Sequence, residues 1–142
     1  MRAYHTQIEI DAPHSAVWNR LVDFESYSVW NPLVFSLSGD IREGGIISTG
    51  ITPLNRIYRA RLLSFKKNQE IVWQGHRVAG FVLSGRHYYQ LRRIGQERTL
   101  LTHGEYFSGL LSPFIPKGLL IKMQSAFEQH NYKLKEIVES EK

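Results

Sequence analysis

The chain opens on a two-residue alternation. In AYHTQIEID, Ile8 and Ile10 fall on one face, which predicts a strand. The period then changes: in APHSAVWNRLVDF, Val17, Trp18, Leu21, Val22 and Phe24 form the apolar stripe of a short amphipathic helix, with Asp11 or Ala12 at its cap and the proline in its first turn. A second, shorter helix follows in ESYSVW and ends near Asn31, because the residue before Pro32 is driven away from helical angles. From Leu33 to Gly109 the period of two returns, and LVFSLSG, IISTGITP, RIYRARLLSF, EIVWQGHRV, GFVLSGRHYYQLRR and RTLLTHGEYFSG read as strands. Their links DIREGG, LN, KKNQ, A and IGQE are short, polar or glycine-containing, which favours antiparallel hairpins over parallel crossovers. The linker LLSPFIPK has two prolines and cannot be helical throughout. The strongest helical signal is KGLLIKMQSAFEQHNYKLKEIVESEK, where Leu120, Met123, Phe127, His130, Leu134 and Ile137 recur at spacings of three and four. That stripe needs a partner, and the concave face of the sheet is the obvious one.

One strand departs from the ordinary pattern. In LLTHGEYFSG, alternation sets Leu101, His103, Glu105 and Phe107 on one face, so a histidine and a carboxylate share it with two large apolar groups. A dry core would exclude an unpaired carboxylate. A turn at IGQE centred near Gln96 sets Leu91 opposite Leu101, Tyr89 opposite His103, His87 opposite Glu105 and Gly85 opposite Phe107. Phe81, Leu83, Gly85, His87, Tyr89 and Leu91 then share that face, as do Ile71, Trp73 and Gly75 of the preceding strand. Arg86, Tyr88, Gln90 and Arg92 form a polar, aromatic-containing outer strip.

Composition narrows the function classes. The 142 residues fit one domain, 1–142, with 42% apolar and 22% charged residues. Cysteine is absent, which removes disulfides, thiolate metal sites and cysteine nucleophiles. The N-terminal stretch lacks an apolar core of signal-peptide length, and no run reaches the ~18 apolar residues of a membrane helix, so a cytoplasmic protein without stable membrane insertion is expected. The net charge of +5 invites a nucleic-acid reading. The placement of the basic residues opposes it: they are scattered in ones and twos, with no basic run interleaved with aromatics. No phosphate-cradling glycine loop, nucleophile elbow or metal-protease histidine pair is found. Neither a metal nor a cofactor is expected. Oligomeric state is not legible.

The order of elements, with the phrases IDAPHSAVWNRLVDFESYSVWNP, IVWQG, GRHYYQL and TLLTHGEYFSGLL, resembles the SRPBCC superfamily of START lipid-transfer domains, birch-pollen-allergen-like proteins and polyketide cyclase/dehydrase-like members. The resemblance implies an α+β helix-grip fold. In it a curved antiparallel sheet of about seven strands wraps the long C-terminal helix, with two short helices between the first and second strands. It also implies a cavity for a hydrophobic small molecule such as a lipid, polyketide or aromatic metabolite, taken up by a carrier or sensor. Trp73, Phe81, Leu83, His87, Tyr89, Leu101, His103, Glu105, Phe107, Met123 and Phe127 are the expected wall. The candidates for acid–base chemistry are His87, His103 and Glu105, where a carboxylate beside imidazole could hold or orient it. The alternatives for that cluster are a satisfied structural hydrogen-bond network and a ligand-orienting group. Two rival functions stand beside the carrier: a cofactor-independent cyclase or dehydratase, and a chaperone-activator-like interaction module. The segment 107–117 is either a moving portal or a rigid connection.

Overall fold

A computed structural model of the chain describes residues 2–75, 84–108 and 114–141. Among them, seven strands form one antiparallel sheet: β1 (Arg2–Ile10), β2 (Val34–Gly39), β3 (Ile46–Ile51), β4 (Arg56–Lys66), β5 (Glu70–Gly75), β6 (Ser84–Gly95) and β7 (Arg98–Ser108). The order β1-β7-β6-β5-β4-β3-β2 is a meander whose last strand pairs with the first. Helices α1 (His14–Leu21) and α2 (Tyr27–Trp30) lie between β1 and β2, and the long helix α3 (Lys117–Ser140) follows β7. This is the helix-grip arrangement expected. Register shifts between Val34 and Ser36, Leu62 and Ser64, and Arg93 and Gly95 bend the sheet.

Local chemistry explains the junctions. The N-cap of α1 is Pro13, not the expected Asp11 or Ala12, and no side chain caps it. Asp11 is held instead by Arg98 at 3.3 Å, and the Ala12 carbonyl accepts the Thr99 hydroxyl at 2.8 Å, so the sheet has claimed both residues. Asn31 ends α2 in an extended conformation. Its Oδ1 accepts the Leu33 and Val34 N–H groups at 2.9 and 2.8 Å, turning the chain into β2.

Helix α3 buries Met123, Ala126, Phe127, His130, Asn131, Leu134 and Val138. Leu120 and Ile137, expected in that stripe, are only half-buried. A helix of 3.6 residues per turn drifts against a fixed three-and-four spacing, so by the last turns Val138 takes the inward position. Strands β6 and β7 pair in the register that the IGQE turn predicts, and His103 lies fully buried on the concave face. The outer strip holds a surprise: Tyr88 is buried, stacked on Tyr106 and hydrogen-bonded to His5, its ring lying across Gly104 where a Cβ would collide with it.

Candidate functional site

Four pairings align Leu62, Trp73, His87, Glu105 and Tyr4 in one row across β4, β5, β6, β7 and β1, all on the concave face. The neighbouring row brings Ala60 against Gly75 and Gly85 against Phe107, and the small Ala60, Gly75 and Gly85 leave space between sheet and helix. That space is a cavity of about 350 Å³. Of the expected wall residues, Trp73, His87, Glu105, Phe107, Met123 and Phe127 line it. Three others do not: Tyr89, Leu101 and His103 are fully buried behind it, because α3 sits down on the sheet there, with the Phe127 ring stacked on His103 at 4.4 Å. Phe81 and Leu83 lie outside the described residues, as does the middle of the 107–117 segment.

Sequence reasoning missed several wall residues. Tyr4 comes from β1, whose pairing with β7 no local turn announces. Arg56, Tyr58 and Thr49 bring polar atoms from β3 and β4, and Leu119 and Leu120 close the wall from the first turns of α3. The alternation of RIYRARLLSF carried a signal for Arg56 and Tyr58, since both share the face of Ala60.

Behind the cavity lies a buried polar network. Nδ1 of His103 and Nδ1 of His130 approach Oδ1 of Asn131 at 2.9 and 3.0 Å. Nδ2 of Asn131 donates to the Thr6 hydroxyl at 2.7 Å, and that hydroxyl donates to the His103 carbonyl at 2.6 Å. These contacts fix the protons. With the single Thr6 proton committed, Asn131 must turn its NH2 to Thr6 and its oxygen to the rings, so both rings carry hydrogen on Nδ1. Burial lowers the proton affinity of all three histidines, to about 4 at His130 and well below the ordinary range at His87 and His103, where neighbouring histidines add to it. Each ring is therefore neutral. Nε2 of His103 is then an acceptor, and His87 donates its Nε2 proton to it at 2.7 Å, while Nε2 of His130 accepts the Tyr89 hydroxyl at 2.9 Å. His87, stacked on Trp73 at 3.9 Å, keeps a bare Nδ1 with no partner among the described residues.

The cluster therefore differs from a carboxylate–imidazole pair: Asn131, not Glu105, orients His103. Glu105 is half-buried in the cavity wall, its carboxyl folded over Gly85, where a Cβ would collide with it. Burial alone pushes its pKa up to about 8, so it is mostly a neutral acid at pH 7. Burial, with the Glu105 charge adding to it, also raises the Tyr4 hydroxyl far above the ordinary tyrosine value. Among the described residues, no group of three or more histidines and carboxylates is placed to hold a metal ion. No described helix is long and apolar enough to cross a membrane.

A wider surface cleft, about 560 Å³, opens beside α1 and the end of α3. Of its charged walls, Arg20 is engaged with Asp23 and Glu141.

No family model matches the chain, and no curated protein matches it. Solved structures do. A START superfamily protein from Mycobacterium smegmatis superposes with a TM-score of 0.75 at 16% identity, over 99% of each chain. The hypothetical protein jhp0584 from Helicobacter pylori gives 0.80 at 12% identity, over 96% of this chain and 88% of that one. The di-domain ARO/CYC BexL of the BE-7585A biosynthetic pathway gives 0.72 at 11% identity, over 94% of this chain and 46% of that one. The fold is the helix-grip fold of these START-like and ARO/CYC structures. At these identities the likeness speaks for the fold alone.

Proposed function

We propose that residues 1–142 act as one cytoplasmic domain that binds a hydrophobic small molecule between sheet and C-terminal helix, as a carrier or sensor. The observation that carries this reading is the cavity of about 350 Å³, within the size range of small-molecule sites, walled mainly by aromatic and aliphatic groups with a few polar ones. The START-like and ARO/CYC-like neighbours support it at the level of architecture. Native mass spectrometry of the purified protein, with titration of a neutral solvatochromic dye such as Nile red, tests it. A bound apolar molecule and saturable dye binding are expected. Gly75→Val sharpens the test, because among the described residues a Cβ at Gly75 meets only the Gly85 carbonyl, at 3.8 Å, and Gly75 lines the cavity. It should weaken dye binding about tenfold while leaving the fold intact, since filling space without collision costs little. Dye affinity unchanged by this substitution would sink the reading.

One observation favours a second reading, a cofactor-independent cyclase or dehydratase: Glu105 is a cavity acid poised near neutrality, at about 8. Turnover of that kind requires protonated Glu105, so it should decline as pH rises through about 8 and be lost in Glu105→Gln. A pH profile flat across that range would exclude Glu105 as the acid.

A further inference from the structure

The row Tyr4–Glu105–His87 runs across three adjacent strands in direct register, and all three residues belong to the cavity wall. Each brings a polar group that the fold leaves unused. The Tyr4 hydroxyl and the His87 Nδ1 are buried without a hydrogen-bond partner among the described residues, on side chains exposed by only 4% and 3%. Among the described residues, nothing donates to the Glu105 carboxyl, whose proton affinity is set by burial alone. An unsatisfied buried polar group costs roughly 1–3 kcal/mol. One such group is an accident of packing; two of them flanking a carboxyl along a single row of the cavity wall describe a subsite.

The chemistry of the three groups is specified. The network through Asn131 and His103 fixes the His87 proton on Nε2, so Nδ1 can only accept. Tyr4 supplies an O–H donor, and Glu105 in its neutral form supplies another. The row thus offers two donors and, at His87, a group that can only accept. Among the described residues no cation lines it; the cavity's Arg56 comes from the far end of β4, three strands away from β7. A carboxylate head would meet the Glu105 carboxyl without a countercharge.

We propose that Tyr4, Glu105 and His87 form the polar end of the cavity and hold an uncharged ligand head that carries both a carbonyl oxygen and a hydroxyl. Tyr4 and Glu105 donate to the carbonyl, and the ligand hydroxyl donates to His87 Nδ1. This rests on the cavity-binding reading above and narrows it from any apolar molecule to hydroxy-carbonyl compounds with an apolar body.

The test displaces Nile red from the full chain with matched naphthalenes: the parent hydrocarbon, and derivatives bearing a hydroxyl, an acetyl, an aminomethyl or a carboxylate group. Hydrophobicity alone ranks the parent first. The subsite reverses that order, with hydroxyl and acetyl derivatives binding about tenfold more tightly than the parent, the gain expected of one well-made hydrogen bond. Tyr4→Phe should erase most of the acetyl advantage, whereas Glu105→Gln, whose neutral amide still donates, should retain it and remove its dependence on pH. Tyr4→Phe removes only an unpartnered hydroxyl, so it should fold with undiminished Tm, which separates a binding defect from a folding one. The acetyl advantage should also fade as pH rises through about 8, whereas an amine head would gain affinity there. Preference at pH 7 for the aminomethyl or carboxylate derivative, the parent hydrocarbon ranking first in the unsubstituted protein, or an acetyl advantage undiminished in Tyr4→Phe would overturn the subsite and leave the cavity standing. Failure of the dye and every naphthalene to bind would overturn the cavity reading and the subsite together.

Discussion

Asn131 carries more of the interior than any other polar side chain described. It accepts from two histidine rings and donates to Thr6, so Asn131→Leu, close in volume, strands both ring N–H groups at once. A loss of about 3 kcal/mol is expected, read from the urea midpoint at unchanged slope. Gly85 is constrained from another direction. Gly85→Ala pushes the flexible Glu105 carboxyl aside and should cost at most about 1 kcal/mol; in a Glu105→Ala background the penalty should vanish. The sequence exposed these residues unevenly. His87, His103 and Glu105 stood out because polar groups interrupted an apolar face. Asn131 did not, since an asparagine beside a histidine on a long helix looks the same whether it points to water or to the core. Tyr4 was hidden because a tyrosine in a strand is ordinary until its hydroxyl is known to lack a partner.

Among the elements, α3 is the one that the sheet depends on most. Phe127 is fully buried, with its ring against His103 and, edge-on at 4.9 Å, against Tyr4. Phe127→Ala should cost about 3–5 kcal/mol and enlarge the cavity, measurable as lower stability together with tighter binding of bulkier dyes. Among the described residues the strands and helices were legible because period and turn chemistry agree, except at Thr52–Leu54, read as the end of a strand and found as a 3-10 turn. The β6–β7 register was legible for the same reason: a short turn at Gln96 and Glu97 joins the partners directly. The β1–β7 register was not, because Tyr4 and Glu105 meet across nearly the whole chain and only packing aligns them. The position of the cavity along the sheet follows from where α3 touches down, which depends on the sizes of facing side chains.

For the whole molecule, the buried groups impose opposing pH dependences. The histidines have folded pKa values below their ordinary 6.5, so the unfolded chain binds the extra protons; their contribution is full above about 6.5 and is lost as pH falls toward about 4. Glu105 is raised from 4.5 to about 8, so the folded chain binds its proton; its contribution is full below 4.5 and is lost as pH rises to about 8. From these four groups, Tm should climb from pH 4 to about 6.5, where three rings outweigh one carboxyl, and then decline toward pH 8. Glu105→Gln should abolish the decline and keep the climb, as followed by circular dichroism melts. A decline persisting in the variant would place its origin elsewhere.

The pairing of β1 with β7 also has a consequence in time. Arg2 meets Phe107, so the first strand made must wait for the last before its ladder can form. At a synthesis rate of about 5–20 residues per second, β1 spends roughly 5 to 20 seconds as an unpaired edge while the meander is completed. Throughout that interval Tyr4 and its neighbours are exposed at the ribosome, and a holdase that covers short alternating strands is the protection such a nascent chain needs.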